Sequence, residues 1–120
     1  STSSTFSNKD KEALFYGNVR ILYDNMKISS PYAEFKYSSK RNALETVEVY
    51  DDVILTDNTK TGTCREMLIN IPNDTMILKG SPRIKMGEDE IQGEEIIFSE
   101  KGKKVKINQL QFKRKDDFKR

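Results

Sequence analysis

The chain repeats itself, and the repeat limits what it can fold into. Phe15-Tyr16-Gly17-Asn18-Val19-Arg20-Ile21 aligns with Val49-Tyr50-Asp51-Asp52-Val53-Ile54-Leu55 and with Leu78-Lys79-Gly80-Ser81-Pro82-Arg83-Ile84. The offset is 34 from Gly17 to Asp51 and 29 from Asp51 to Gly80. A second set keeps these offsets: Ala33-Glu34-Phe35 matches Met67-Leu68-Ile69, 34 later, and Ile96-Ile97-Phe98, a further 29 later. A partial fourth unit begins at Val105 and Ile107, which follow Met76 and Leu78 at the second of these offsets. Two separate segments that agree on one pair of offsets mark a repeat whose units share their core with their neighbours.

Each unit reads as strand, turn, strand, turn. In the first segments the apolar positions are Phe15, Val19 and Ile21, then Val47, Val49, Val53 and Leu55, then Met76, Leu78, Ile84 and Met86. They keep one parity within each strand, so they point to one face. Arg20, Glu48, Lys79, Arg83 and Lys85 take the other face. The second segments alternate likewise through Ala33, Phe35 and Tyr37, Met67, Ile69 and Ile71, and Ile96 and Phe98. Alternation over this many short runs predicts strands, not helices.

Turn-forming clusters fall between the runs: Asp24-Asn25, Ser38 to Asn42, Asp57-Asn58, Pro72-Asn73-Asp74, Gly87-Glu88-Asp89 and Lys101-Gly102-Lys103. Gly17 and Gly80 interrupt apolar strands at the same repeat position, where mid-strand glycine marks a bulge or bend. Asp51 fills that position in the middle unit and tolerates the left-handed region better than most side chains. Pro82 has no N–H to give a ladder, so its strand is bent or at an edge there.

The 120 residues amount to one domain, and 35% apolar against 33% charged is thin for a thick core. That balance suits a flat or elongated fold in which much of each strand faces water. Residues 1–12 read as a flexible segment or an edge strand, 13–112 as the β domain and 113–120 as a basic tail. Residues 101–120 carry a local charge of +7, which leaves −5 for residues 1–100 within the net +2. A basic end beside an acidic body suits an anionic partner or a neighbouring copy, and equally a solvated terminus.

Several chemistries are excluded. The chain has no histidine, which removes His-based triads and most transition-metal sites. One cysteine, Cys64, allows no internal disulfide and reads as a small packed residue. Gly87 and Gly93 lack the spacing of a phosphate loop. Glu88-Asp89-Glu90 with Glu94-Glu95 lacks the ligand ladder of a calcium loop and reads as solvated surface. The basic residues gather at the C-terminal end while the aromatics lie mostly on the apolar face, so no nucleic-acid surface is expected. No run is long enough for a membrane-spanning helix. No signal-peptide pattern is visible; the chain opens Ser1-Thr2-Ser3-Ser4, as a mature exported chain or a trimmed one would. The pattern therefore predicts an all-β, non-enzymatic domain with an apolar interior between two strand layers. That interior is either a closed core or a groove.

Leu14-Phe15-Tyr16 followed by Gly17-Asn18-Val19-Arg20-Ile21 resembles the "GNV" strand of the OstA-like (LptA-type) family. Lys79-Gly80-Ser81-Pro82-Arg83-Ile84 and Ile91-Gln92-Gly93-Glu94-Glu95-Ile96-Ile97-Phe98 resemble later strands of that family, with Phe98 where tyrosine is common. The resemblance covers roughly residues 13–107, and it departs at Asp51-Asp52-Val53, where the family has a glycine turn. It implies a twisted, open β-jelly roll in the periplasm that needs no cofactor. It further implies a groove that binds the acyl chains of lipopolysaccharide or a related envelope lipid and bridges them to the outer membrane. On that reading Val19, Ile21, Phe35, Val49, Val53, Leu55, Ile69, Leu78, Ile84, Ile96 and Phe98 line the groove. The implied partners are the lipid, LptC-like and LptD-like domains, and further copies stacked head to tail. The alternative is a structural β-repeat module that joins envelope proteins by edge-strand pairing, in an LptC-like or LptD-domain-like role.

Overall fold

The computed structural model describes residues 2–7, 12–109 and 111–113, with side chains described for 12–109. These residues form eleven strands: β1 (Thr2–Ser7), β2 (Glu12–Tyr23), β3 (Met26–Ser38), β4 (Ala43–Thr56), β5 (Thr61–Asn70), β6 (Thr75–Lys79), β7 (Arg83–Met86), β8 (Asp89–Gln92), β9 (Glu95–Ser99), β10 (Lys104–Asn108) and β11 (Gln111–Lys113). There is no helix among the described residues. All neighbours are antiparallel, in the order β1-β2-β3-β4-β5-β6-β9-β10. The sheet forks at β5. Glu66 to Asn70 pair with β6, while Thr61 to Thr63 pair with β7, which continues to β8 and β11.

The fork arises because every long strand turns a corner. Ladder registers shift between Tyr16 and Val19 on β2, between Ser29 and Tyr32 on β3, and between Tyr50 and Val53 on β4. Left-handed backbone marks the corners: φ is 110° at Gly17, 65° and 58° at Asp51 and Asp52, 79° and 54° at Gly80 and Ser81, and 59° at Gln109. The offsets from Gly17 to Asp51, from Asp51 to Gly80 and from Gly80 to Gln109 are 34, 29 and 29, so the sequence repeat is a repeat of corners. Beyond β5 the same corner becomes a break in the strand, separating β6 from β7 and β10 from β11. Pro82 is buried in the first of these breaks, where no ladder needs its missing N–H.

The second repeat segment has its own corner. The Ser30 hydroxyl donates to the Tyr32 carbonyl at 3.0 Å, and one repeat later the Cys64 thiol donates to the Glu66 carbonyl at 3.2 Å. The thiol thus stands where a hydroxyl stands in the preceding unit. Burial, the largest influence on it, pushes its pKa up to about 12, so it is a packed donor and not a nucleophile.

The corners divide the sheet into two layers. The β6 layer holds Thr2–Ser7 and residues 12–16, 32–50 and 66–70, with β6, β9 and β10. The β7 layer holds residues 19–29 and 53–64 with β7, β8 and β11. Inward side chains from both layers form one core, with Val49, Ile69, Leu78 and Ile96 from the first and Val53, Leu55 and Ile84 from the second. The molecule is elongated, 57 × 30 × 24 Å. Two positions read as inward depart from that reading: Met86 and Tyr37 are each 39% exposed, because both sit at strand ends where the ladder is giving way to a turn. Residues 114–120, within the expected basic tail, lie outside the described residues.

The corners predict unequal mutational costs. A Cβ on Gly80 would stand 2.5 Å from the Arg65 Cβ, at a φ of 79°. Gly80→Ala is expected to destabilise the fold by about 2 kcal/mol. Asp51→Gly is expected to stay within about 0.5 kcal/mol of the parent, because relieved strain offsets added freedom in the unfolded chain. Urea unfolding midpoints measure both; similar losses for the two would show that the positions are not equivalent corners.

Candidate functional site

Three apolar rows cross the strands inside the molecule. In the β6 layer, the first runs Phe15, Ala33, Val49, Met67, Leu78, Ile96, Ile107, each directly opposite the next. The second runs Ala13, Phe35, Val47, Ile69, Met76, Phe98, Val105 in the same way. In the β7 layer a third runs Ile21, Ile28, Leu55, Gly62, Ile84, Ile91. Such rows are what alternation produces once strands pair in register, because every second residue of each strand joins a neighbour on the same face.

The eleven residues proposed from sequence all fall on this interior. Val49, Leu78 and Ile96 belong to the first row, Phe35, Ile69 and Phe98 to the second, and Ile21, Leu55 and Ile84 to the third. Val19 and Val53 sit beside the corners. Nine of them are at most 4% exposed, while Ile21 and Phe35 are half-buried and pack against the rest. The sequence reading missed Gly62, whose bare backbone leaves room for the Ile84 side chain: a Cβ there would stand 2.8 Å from Ile84 Cδ1. Its position in the third row was available from the parity it shares with Cys64.

Burial varies along the rows. Their middles, at Val49, Ile69, Leu78 and Ile96, are 0% exposed. Toward β2 the first and third rows end at half-buried Phe15 and Ile21, while the second ends at buried Ala13 behind half-buried Phe35; at the far end Ile91 and Ile107 are half-buried and Val105 is 48% exposed. Phe15 and Phe35 meet edge to face at the β2 end, ring centroids 4.9 Å apart. The interior is therefore a continuous apolar track, tight in the middle and more loosely packed at Phe15, Ile21 and Phe35 on one side and at Ile91, Val105 and Ile107 on the other.

Polar contacts close the rim opposite the corners. The Tyr23 hydroxyl, from the β7 layer, donates to Asp74 Oδ1 at 2.7 Å, and the Lys101 N–H donates to Asp74 Oδ2 at 2.8 Å. Burial, then this hydrogen bond, hold the Tyr23 phenol far above its usual range, so it remains a donor. Met26 reaches across to Gly102, where a Cβ would lie 2.5 Å from its terminal methyl. Nearby, Lys60 Nζ sits 5.7 Å from the Phe98 ring centroid and pairs with Asp57 at 2.6 Å. Burial pulls the Asp57 carboxyl upward, but donation from the Lys60 ammonium, the Thr59 N–H and hydroxyl and the Lys60 N–H outweighs it and holds the pKa at about 2. No group of side chains suited to holding a metal ion occurs among the described residues. Glu94 and Glu95 do not converge: Glu94 is exposed, while Glu95 accepts from Asn108 and pairs with Lys79.

Over residues 1–104 the sequence matches a family described as LptA/(LptD N-terminal domain) LPS transport protein. A comparison with curated protein sequences gives no match. The fold is similar to that of LptH, whose crystal structure is described as the LptA homologous periplasmic component of the conserved lipopolysaccharide transport device from Pseudomonas aeruginosa. The TM-score is 0.79 over 92% of this chain and 89% of that one, at 12% sequence identity, a likeness of fold that identifies the architecture as the β-jelly roll.

The Asp57 cluster has a pH signature. Its carboxyl is held below its ordinary 3.8, so its contribution is present at neutral pH and is lost as pH falls toward about 2. Asp57→Asn is expected to cost about 1 kcal/mol at neutral pH once solvent screening is allowed for. The gap between parent and variant melting temperatures should close as pH falls from about 4 to about 2. A gap independent of pH would show that Asp57 acts by its shape and not its charge.

Proposed function

The chain belongs to the LptA/(LptD N-terminal domain) LPS transport protein family, a family of transport proteins and not of enzymes, and from that premise we propose that it carries the acyl chains of lipopolysaccharide, or of a related envelope lipid, between its two layers and across the periplasm toward the outer membrane. The observation that carries this reading is the continuity of the apolar rows from β2 to β10, more loosely packed toward both ends. An acyl chain laid along the first two rows crosses β2, β3, β4, β5, β6, β9 and β10 and meets only Val, Ile, Leu, Met, Phe and Ala. At about 0.8 kcal/mol per buried CH₂, ten methylenes gain about 8 kcal/mol, comparable with the whole stability of a small domain. That gain is large enough to separate two layers joined at their rim by a few hydrogen bonds worth about 1 kcal/mol each. Charged headgroups stay in water at the rim, and no reacting group is needed.

The edges support the bridging part of the reading. β1 ends one side of the sheet and β10 and β11 end the other, and among the described residues each is paired along one edge only. An unpaired edge accepts a further strand. Joining one end to the opposite end of a second copy, or of an LptC-like or LptD-like domain, is a head-to-tail contact that need not close. The rows loosen toward these same ends, so stacking would run one track into the next. The structural-module alternative uses the same edges without the track.

Two measurements separate these readings. A photo-crosslinking residue at Phe35 or Ile21 is expected to capture lipopolysaccharide, while one at the outward Glu66 is not; equal capture at all three would leave the interior without a role. Removing residues 111–120, and with them β11, is expected to abolish any rise of solution mass with concentration. A mass that responds identically with and without β11 rules out this edge as the stacking surface.

A further inference from the structure

Folding the sheet sorts its outward charges, which the linear sequence does not reveal. On the β6 layer, Glu34, Glu48 and Glu95 face outward and are matched by Lys36 and Lys79, with pairs at 4.0, 3.7 and 3.9 Å. The outward face of the β7 layer differs. Arg20, Lys27, Arg65, Arg83 and Lys85 all project from it and all are exposed, and none enters an ion pair among the described residues. Acids on this face include Asp52 at its corner and Glu90, which stands directly opposite Lys85 across the strands and accepts from Gln92.

Register places four of these five cations in two cross-strand rows, with Arg65 beside them at its corner: Arg20, Ser29, Ile54, Thr63, Arg83, and Leu22, Lys27, Thr56, Thr61, Lys85. Each row spans four strand spacings, about 19 Å. Large apolar groups stand among the charges: Leu22 is 71% exposed and Ile54 45%. With Arg20 and Lys27 they line a shallow cleft of about 630 Å³, and a second cleft of about 480 Å³ lies beside it at Arg65 and Arg83. We propose that this face is a docking surface for an anionic phospholipid membrane. Charge complementarity sets the sign of the partner. The spread of the cations over about 19 Å suits a surface of many anions and not one phosphate, and exposed Leu and Ile between cations are the composition of an interfacial membrane binder. This surface lies on the opposite side of the β7 layer from the apolar track and does not depend on lipid carriage through it.

The test is co-sedimentation of the full chain with phosphatidylglycerol–phosphatidylcholine vesicles and with phosphatidylcholine vesicles alone. Binding is expected only to the former and should fall as salt rises. Arg83→Gln with Lys85→Gln removes two charges and should weaken binding about 25-fold, at roughly five-fold per cation. Lys104→Gln with Lys106→Gln makes the same change of net charge on the other layer and should leave binding within about two-fold. Leu22→Asn, at an exposed site, should weaken binding several-fold without altering charge. Equal losses from the two double variants would reduce the effect to net charge and overturn the proposal. Equal binding to neutral vesicles, absence of binding at low salt, or displacement by inorganic phosphate at the concentration of the vesicle phosphate would also overturn it. Matching thermal melts for the variants establish that the readout is binding and not folding.

Discussion

The corner that each strand turns is the constraint on which the rest of the structure depends. A left-handed residue other than glycine costs about 1–2 kcal/mol, yet Asp51, Asp52, Ser81 and Gln109 all adopt that backbone. They are held there because ladders on both sides of each corner fix the chain before and after it. Moving one corner by a single residue would turn every side chain beyond it to the opposite face. Val53, Leu55 and Ile84 would then point to water and Ile54, Arg83 and Lys85 into the core. Repetition at matched offsets keeps the corners of neighbouring strands side by side, so the sheet folds along one line and covers itself. A chain with only 35% apolar residues thereby encloses a core without needing a second sheet from elsewhere.

Much of this was legible because strands with one buried face leave a strong trace. Parity placed Val49, Ile69, Leu78, Ile84 and Ile96 correctly, since the period of two is a property of the backbone and needs no tertiary knowledge. The repeat located the corners at Gly17, Asp51 and Gly80 from the sequence alone, because positive φ restricts the residue types found there. The corner at Gln109 was hidden, as glutamine carries no such signature and only its offset from Gly80 points to it. The second family of corners, at Ser30 and Cys64, was also missed. Its signal is a parity switch across Pro31 and Arg65, and a small donor at the preceding residue, which becomes informative only when the two units are superimposed. Charge sorting was invisible for a different reason. Which layer Arg20, Lys27, Arg65 and Lys85 share depends on the fold at the corners, not on their distance along the chain.

On the proposed reading, a closed middle and a track for lipid would be compatible states of the same rows. An empty channel lined by Val, Ile, Leu and Phe would cost roughly 20 cal/mol for each Å² of cavity surface, so without a ligand the layers collapse until Val49, Leu78 and Ile96 touch their opposite numbers. An acyl chain entering between them does not expose these side chains to water; it exchanges one set of apolar contacts for another. What separation must overcome is therefore concentrated at the rim, where Tyr23 and the Lys101 N–H meet Asp74 and Met26 covers Gly102. Under that proposal, entry would be easiest where packing is already incomplete, at Phe15, Ile21 and Phe35 on one end and Ile91 and Ile107 on the other. A chain that begins to enter there widens the gap for its own next methylene, each step gaining about 0.8 kcal/mol. The polar contacts it must break are few and do not grow in number with its length. If the chain carries lipid as proposed, length of acyl chain, more than any single residue, would then decide whether the filled state prevails over the collapsed one.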